Sequence, residues 1–164
     1  MSTTTTTTTN VPTGLESRVL KEGYGPGAWH GTDLKAALGD VTPALAFWRP
    51  AAGRHNIAEI ALHHAYCVRS VRAQLSGATP EAFVLDGEDW FTLPDQTAPG
   101  WPDIRAVVET QQRSLTTLVR DIDAGRVHAS PGDAERFNLV LGITCHAVYH
   151  AGQVQLIKRL QAGN

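Results

Sequence analysis

The chain has 164 residues, a formal net charge of −2 at pH 7, 42% apolar and 18% charged residues, and two cysteines. That length suits one domain able to bury a sizeable core. The near-balanced charge argues against nucleic acid or an acidic membrane surface as partner, since both demand a basic stripe. Cys67 and Cys145, with no charged-then-apolar leader pattern ahead of them, point to free thiols in a reducing, cytoplasmic setting.

Residues 1–13 open with a threonine run that has nothing to bury and read as a disordered tail, so the folded domain is expected over residues 14–164. A first helix is predicted from about Trp29, with Leu34, Ala37, Leu38 and Val41 at helical spacing. Thr42 and Pro43 then supply an N-cap and first-turn proline for a short piece ending before Pro50. The second helix is marked by Asn56 with Glu59 three residues on, a capping-box pattern. From there Ile57, Ile60, His64, Cys67, Val68, Val71 and Leu75 recur until Ser76-Gly77.

The stretch from Ser76 to Trp101 is long for a bare connector and carries Trp90 and Phe91, which suggests a loop laid over a site. Pro102 opens a third helix whose Ile104, Val108, Leu115, Val119 and Ile122 share a face before Gly125. Ser130-Pro131 is the predicted start of a fourth, which runs through Val140, Thr144 and Leu156 to Gly163. No alternating strand pattern is present. The expectation is an all-α fold, a four-helix bundle with a long crossover connection between helices 2 and 3. The uncharged run at 137–157 has the length of a membrane span, but Asn138, His146, His150, Gln153 and Gln155 would be costly in lipid, so no membrane is expected.

His146 and His150 stand four residues apart inside that uncharged run. Residues at this spacing share a helix face with Cβ atoms about 5–6 Å apart, and two imidazoles so placed can close on one ion through bonds of about 2.0–2.1 Å. Core packing is the rival account. A third nitrogen has to come from another helix, and the second offers His63 and His64. His64 falls on the apolar stripe and His63 at its border, so one is expected inward and the other solvated; periodicity leaves the choice open.

The segment from His146 through Tyr149, His150, Gly152 and Gln153 to Lys158-Arg159 resembles the HxxYHxGQ element of the DinB-like family of metal-binding four-helix bundles. The resemblance spans most of the folded region. His55 through Glu59 to His63 is similar to that family's second-helix pattern, in which the ligand histidine follows the acidic residue by four. Trp29-His30-Gly31 and Asp89-Trp90 are reminiscent of one branch of the family. The resemblance implies a divalent metal ion, zinc or nickel, held by His63, His146 and His150, with His64 as the alternate to His63. It also implies a small-molecule substrate and a homodimer.

Neighbouring residues narrow the chemistry. Ala147 stands where a zincin carries its general-base glutamate. The last carboxylate of the fourth helix, Glu135, lies about three turns before His146, which disfavours a di-iron centre. With few carboxylates at hand, thiol S-transfer onto an electrophile by a low-molecular-weight thiol needs the fewest extra groups. Hydrolysis by metal-bound water and a non-catalytic, stress-related metal protein are the alternatives. Glu59 is expected to serve chiefly as the capping partner of Asn56, with orientation of His63 or service as a base as its other roles. His30 can reach the open side of the ion or sit at the surface. Tyr149 and Gln153 can hydrogen-bond a ligand or satisfy polar groups within the helix, Trp90 can wall a pocket or fill core, and Cys67 can approach the ion or act as a small hydrophobe.

Overall fold

The computed structural model describes residues 14–95 and 99–163, so the tail expected over 1–13 lies outside the described residues. Among the described residues there are six helices and no strand: α1 (Leu15–Gly23), α2 (Leu34–Gly39), α3 (Pro43–Phe47), α4 (Ile57–Ser76), α5 (Trp101–Asp123) and α6 (Asp133–Ala162). None of them is long and apolar enough to cross a membrane. The all-α expectation holds, and the helix count differs from the four stretches predicted.

Two differences account for the count. Helix α1 was not predicted; its Leu20 is buried, and it packs on α6 and α5. The approach to α6 is close enough that a Cβ on Gly23 would stand 2.9 Å from that of Ala147 and 3.0 Å from the carbonyl oxygen of Thr144, which restricts position 23 to glycine. The predicted first helix is instead two short helices. Trp29, 93% exposed, precedes them, and α2 starts only where Asp33 accepts the N–H of Ala36 at 3.1 Å. Thr42 caps α3 as expected, accepting from Leu45 at 3.3 Å.

Helix α4 follows its sequence pattern closely. Asn56 accepts the Glu59 N–H at 2.8 Å and Glu59 reaches back to the Asn56 N–H, closing the capping box. Gly77 ends the helix at φ 69°, a left-handed conformation that glycine takes without strain. Helix α6 begins two residues later than Ser130-Pro131 predicts, with Gly132 at its N-cap, and the Ser130 N–H donates at 2.9 Å to the carbonyl of Leu75 at the end of α4.

Helix α4 packs on α3, α5 and α6, and the connector covers its remaining side with buried Phe91 and Leu93. Every residue from Ile57 to Ala65 is consequently buried. This overturns the expectation that one of His63 and His64 faces solvent: with protein on all sides of the helix, neighbouring positions both point inward.

Candidate metal centre

Helices α4 and α6 bring four imidazoles together. His63 Nε2 lies 3.0 Å from His146 Nε2, and His150 Nε2 lies 3.0 Å from the same atom. On the other side of His146, its Nδ1 lies 3.2 Å from Nδ1 of His64. His146 therefore sits between the two adjacent histidines of α4.

The partners of the outer rings decide where their lone pairs point. His63 Nδ1 faces two oxygens of Asp89, the backbone carbonyl at 2.9 Å and the carboxylate at 3.1 Å, with the Cys67 sulfur farther off at 4.0 Å, so that nitrogen carries the hydrogen and Nε2 carries the lone pair. His150 Nδ1 lies 2.6 Å from Gln153 Oε1, whose amide N–H in turn donates to the Tyr149 hydroxyl at 3.1 Å, so the same holds for His150. Two lone pairs thus converge on His146 Nε2, which has at most one hydrogen to offer. A cation among the three satisfies all of them. Ligand nitrogens at bond lengths of about 2.0–2.1 Å in a tetrahedral shell stand roughly 3.3 Å apart, so each of the two 3.0 Å spacings to His146 needs only a few tenths of an ångström of adjustment.

Beside the four imidazoles stands Cys67, one turn beyond His63. Its Sγ lies 3.9 Å from His63 Nε2 and 3.8 Å from the Asp89 carboxylate. His63, Cys67 and His146 offer donor atoms all within 4.8 Å of one another, a group able to hold a metal ion. Burial, reinforced by Asp89, pushes the Cys67 thiol up to about 12. Burial and the neighbouring imidazoles act the opposite way on the histidines, lowering His146 and His150 to about 4 and His64 to about 3. The neutral imidazole, the form a metal requires, is the form this environment favours.

The connector forms the lid of the cluster. Trp90 stacks between His55 and His63, with ring centroids 3.8 Å and 3.9 Å away and interplanar angles of 13° and 7°. Asp89 adopts φ 62°, the one described residue besides glycine with positive φ. That conformation costs an L-residue roughly 1–2 kcal/mol, least for Asp and Asn; here it lets carbonyl and carboxylate both meet His63. Behind the lid, Glu59 receives a bidentate pair from Arg49 at 3.0 and 2.6 Å and the Leu93 N–H at 2.9 Å. It also faces His55 Nδ1 at 3.0 Å. The Glu59 carboxylate thus holds the connector and makes no hydrogen bond to the His63 ring.

A model of the DinB superfamily matches residues 28–154, more than three quarters of the chain. The chain belongs to the DinB superfamily. No curated protein and no solved structure matches it. The DinB match contains His63, Cys67, Asp89, His146 and His150 and leaves α1 outside.

In this DinB-superfamily chain His63, His64, His146, His150, Trp90 and Gln153 meet at one place, with Tyr149 at its edge. His30 does not join them; it is exposed, its Nε2 2.6 Å from the carbonyl oxygen of Glu22. Sequence reasoning missed Arg49, and it had His55 only as the start of the second-helix pattern and Asp89 only as part of an Asp-Trp pair. A cleft of about 600 Å³ runs from His55 and Gln153 between Arg54, Ile60 and Leu156. His63, His64, His146 and His150 line neither this cleft, which borders the cluster through His55 and Gln153, nor a second one of about 620 Å³ by Tyr24 and Trp101.

Proposed function

We propose that this chain is a divalent-metal-dependent enzyme that transfers a low-molecular-weight thiol to an electrophile, with the ion held by His63, His146 and His150. The observation that carries this reading is the meeting of three Nε2 atoms, each outer one 3.0 Å from His146, with acceptors behind the outer rings turning their lone pairs inward. Zinc and nickel both suit an all-imidazole set. When bound, such an ion supplies Lewis acidity, holding a thiol as its thiolate or acidifying water.

The chain supplies the rest. Asp89 and Gln153 keep the ligand tautomers fixed, Trp90 excludes water from one face of His63, and the cleft beside His55 and Gln153 seats the substrate. Its walls offer Arg54 to a polar end and Ile60 and Leu156 to an apolar one. In the transfer the thiol proton leaves to solvent, sulfur bonds to the electrophilic carbon, and the leaving group departs with its electron pair. Hydrolysis at the same site, with water in place of the thiol, is the neighbouring reaction. A rate of thiol alkylation that zinc- or nickel-loaded protein raises, and that chelation and His63→Ala each abolish, supports transferase chemistry; loaded protein that leaves the uncatalysed rate unchanged rejects it.

Cys67 favours a second reading, a non-catalytic stress-related metal protein in which its sulfur, 3.9 Å from His63 Nε2, completes a closed set of four ligands.

The homodimer belongs to this proposal as well. Leu141, Tyr149, Leu156 and Leu160 form an exposed apolar stripe on α6. Gly142 and Gly152 stand along it with nothing within 4 Å of where a Cβ would be. Mid-helix glycine costs about 1 kcal/mol relative to alanine, and no packing within the chain demands it, so close approach by a second copy is the use we assign to it. A cytoplasmic location remains the setting proposed for two unpaired cysteines.

A further inference from the structure

His64 is 1% exposed and Gln112 of α5 is 4% exposed, and each carries a buried polar atom with no hydrogen-bond partner: Nε2 of His64 and Oε1 of Gln112. Unpaired polar atoms at such depth cost about 1–3 kcal/mol apiece, so a pair of them in one place asks for a reason. The Gln112 side chain is close enough to act on the His64 ring, although the two unpaired atoms do not meet in hydrogen-bond geometry. The opposite nitrogen of His64 lies 3.2 Å from Nδ1 of His146. Three helices are thereby joined in a line of polar side chains, Gln112 on α5, His64 on α4 and His146 on α6.

Hydrogen-bond bookkeeping gives this line one consistent direction when His146 acts as a ligand. Its Nε2 then presents a lone pair, so its Nδ1 carries the hydrogen and donates to His64 Nδ1. His64 must carry its own hydrogen on Nε2, and the unpaired Gln112 Oε1 is the acceptor left for it. His63 and His150 find oxygen acceptors in Asp89 and Gln153, whereas His146 has only His64.

We infer that His64 and Gln112 are positioning residues for the metal centre: they form a relay across the helices that fixes the tautomer and ring orientation of His146. The inference rests on the three-histidine reading above. Outer partners of this kind are worth about 10–100-fold in metal affinity.

The test measures zinc affinity of the full chain by competition with a chelator, for wild type, His64→Leu and Gln112→Leu, alongside nitrogen-15 NMR of the zinc-loaded wild type. The expected result is affinity lowered about 10–100-fold by each substitution, with His64 hydrogenated on Nε2 and His146 on Nδ1. Wild-type affinity in both variants, or a His64 hydrogenated on Nδ1 in the loaded protein, overturns the relay. If one variant fails to give a helical circular dichroism spectrum, the other variant and the wild-type tautomers still decide. Absence of zinc binding by wild type instead defeats the metal reading itself, an outcome distinct from failure of the relay.

Discussion

Glu59 on α4 accepts the backbone N–H of Leu93 at 2.9 Å, 34 residues along the chain, and so fastens the connector that carries Asp89 and Trp90 over the histidines. Burial works against ionisation of this carboxyl, but the Arg49 guanidinium, the Leu93 N–H and His55 outweigh it and hold Glu59 below its ordinary value of 4.5. Replacing Glu59 by Ala leaves Arg49 and the Leu93 N–H without their acceptor, and a loss of roughly 3 kcal/mol in unfolding free energy is expected from denaturant titration. The stabilising effect of the carboxylate is present above the unfolded value near 4.5 and disappears as pH falls through the lower folded one. Wild type and Glu59→Ala should therefore converge in stability in acid.

The histidines set a second, higher pH window. His146 and His150 are lowered to about 4 in the folded chain, from 6.5, so between these values the unfolded state binds more protons and stability is lost as pH drops. Metal-free protein should lose thermal stability progressively from pH 6.5 towards pH 4, and His146→Leu should flatten that slope. Added zinc should raise the melting temperature at about pH 7.5 and do so much less at about pH 5, since protonated imidazole does not coordinate. Equal zinc stabilisation at both pH values would contradict ligation by imidazole.

Cys67 separates the catalytic reading from the closed-site reading. Its Sγ is 3.9 Å from His63 Nε2, and its thiol is held protonated, pushed up to about 12. Three-histidine ligation predicts that Cys67→Ala keeps its metal and that cobalt-substituted wild type shows no thiolate charge-transfer absorption. A strong thiolate band, lost in Cys67→Ala together with the metal, would assign the fourth position to sulfur.

The stripe on α6 makes a prediction about assembly. Leu156 is 57% exposed and lies on the same side of the helix as Tyr149, 64% exposed. Leu156→Glu should convert a dimer to a monomer in sedimentation with the helical content unchanged; a wild-type monomer at high concentration would remove this part of the proposal.

What the sequence made legible was the local chemistry of helix ends and the periodic faces. The Asn56–Glu59 box, the Thr42 cap and the His146/His150 pair all depend on residues within four positions of one another, and all are present. Helix α1 escaped because the feature that defines it, the contact of Gly23 with Ala147 and Thr144, lies across the fold. The choice between His63 and His64 could not be made from periodicity for a related reason: the connector buries the side of α4 that the pattern assigns to solvent. Arg49, and the part His55 plays at the site, were missed because their link to it runs through Glu59 and Trp90, two tertiary contacts without a local signature.

The most direct test of the metal account is elemental analysis of purified wild type beside His63→Ala, His146→Ala and His150→Ala, each checked for helical content. The account predicts one equivalent of zinc or nickel per wild-type chain and a marked loss in every variant. Full metal retained by all three variants would contradict it.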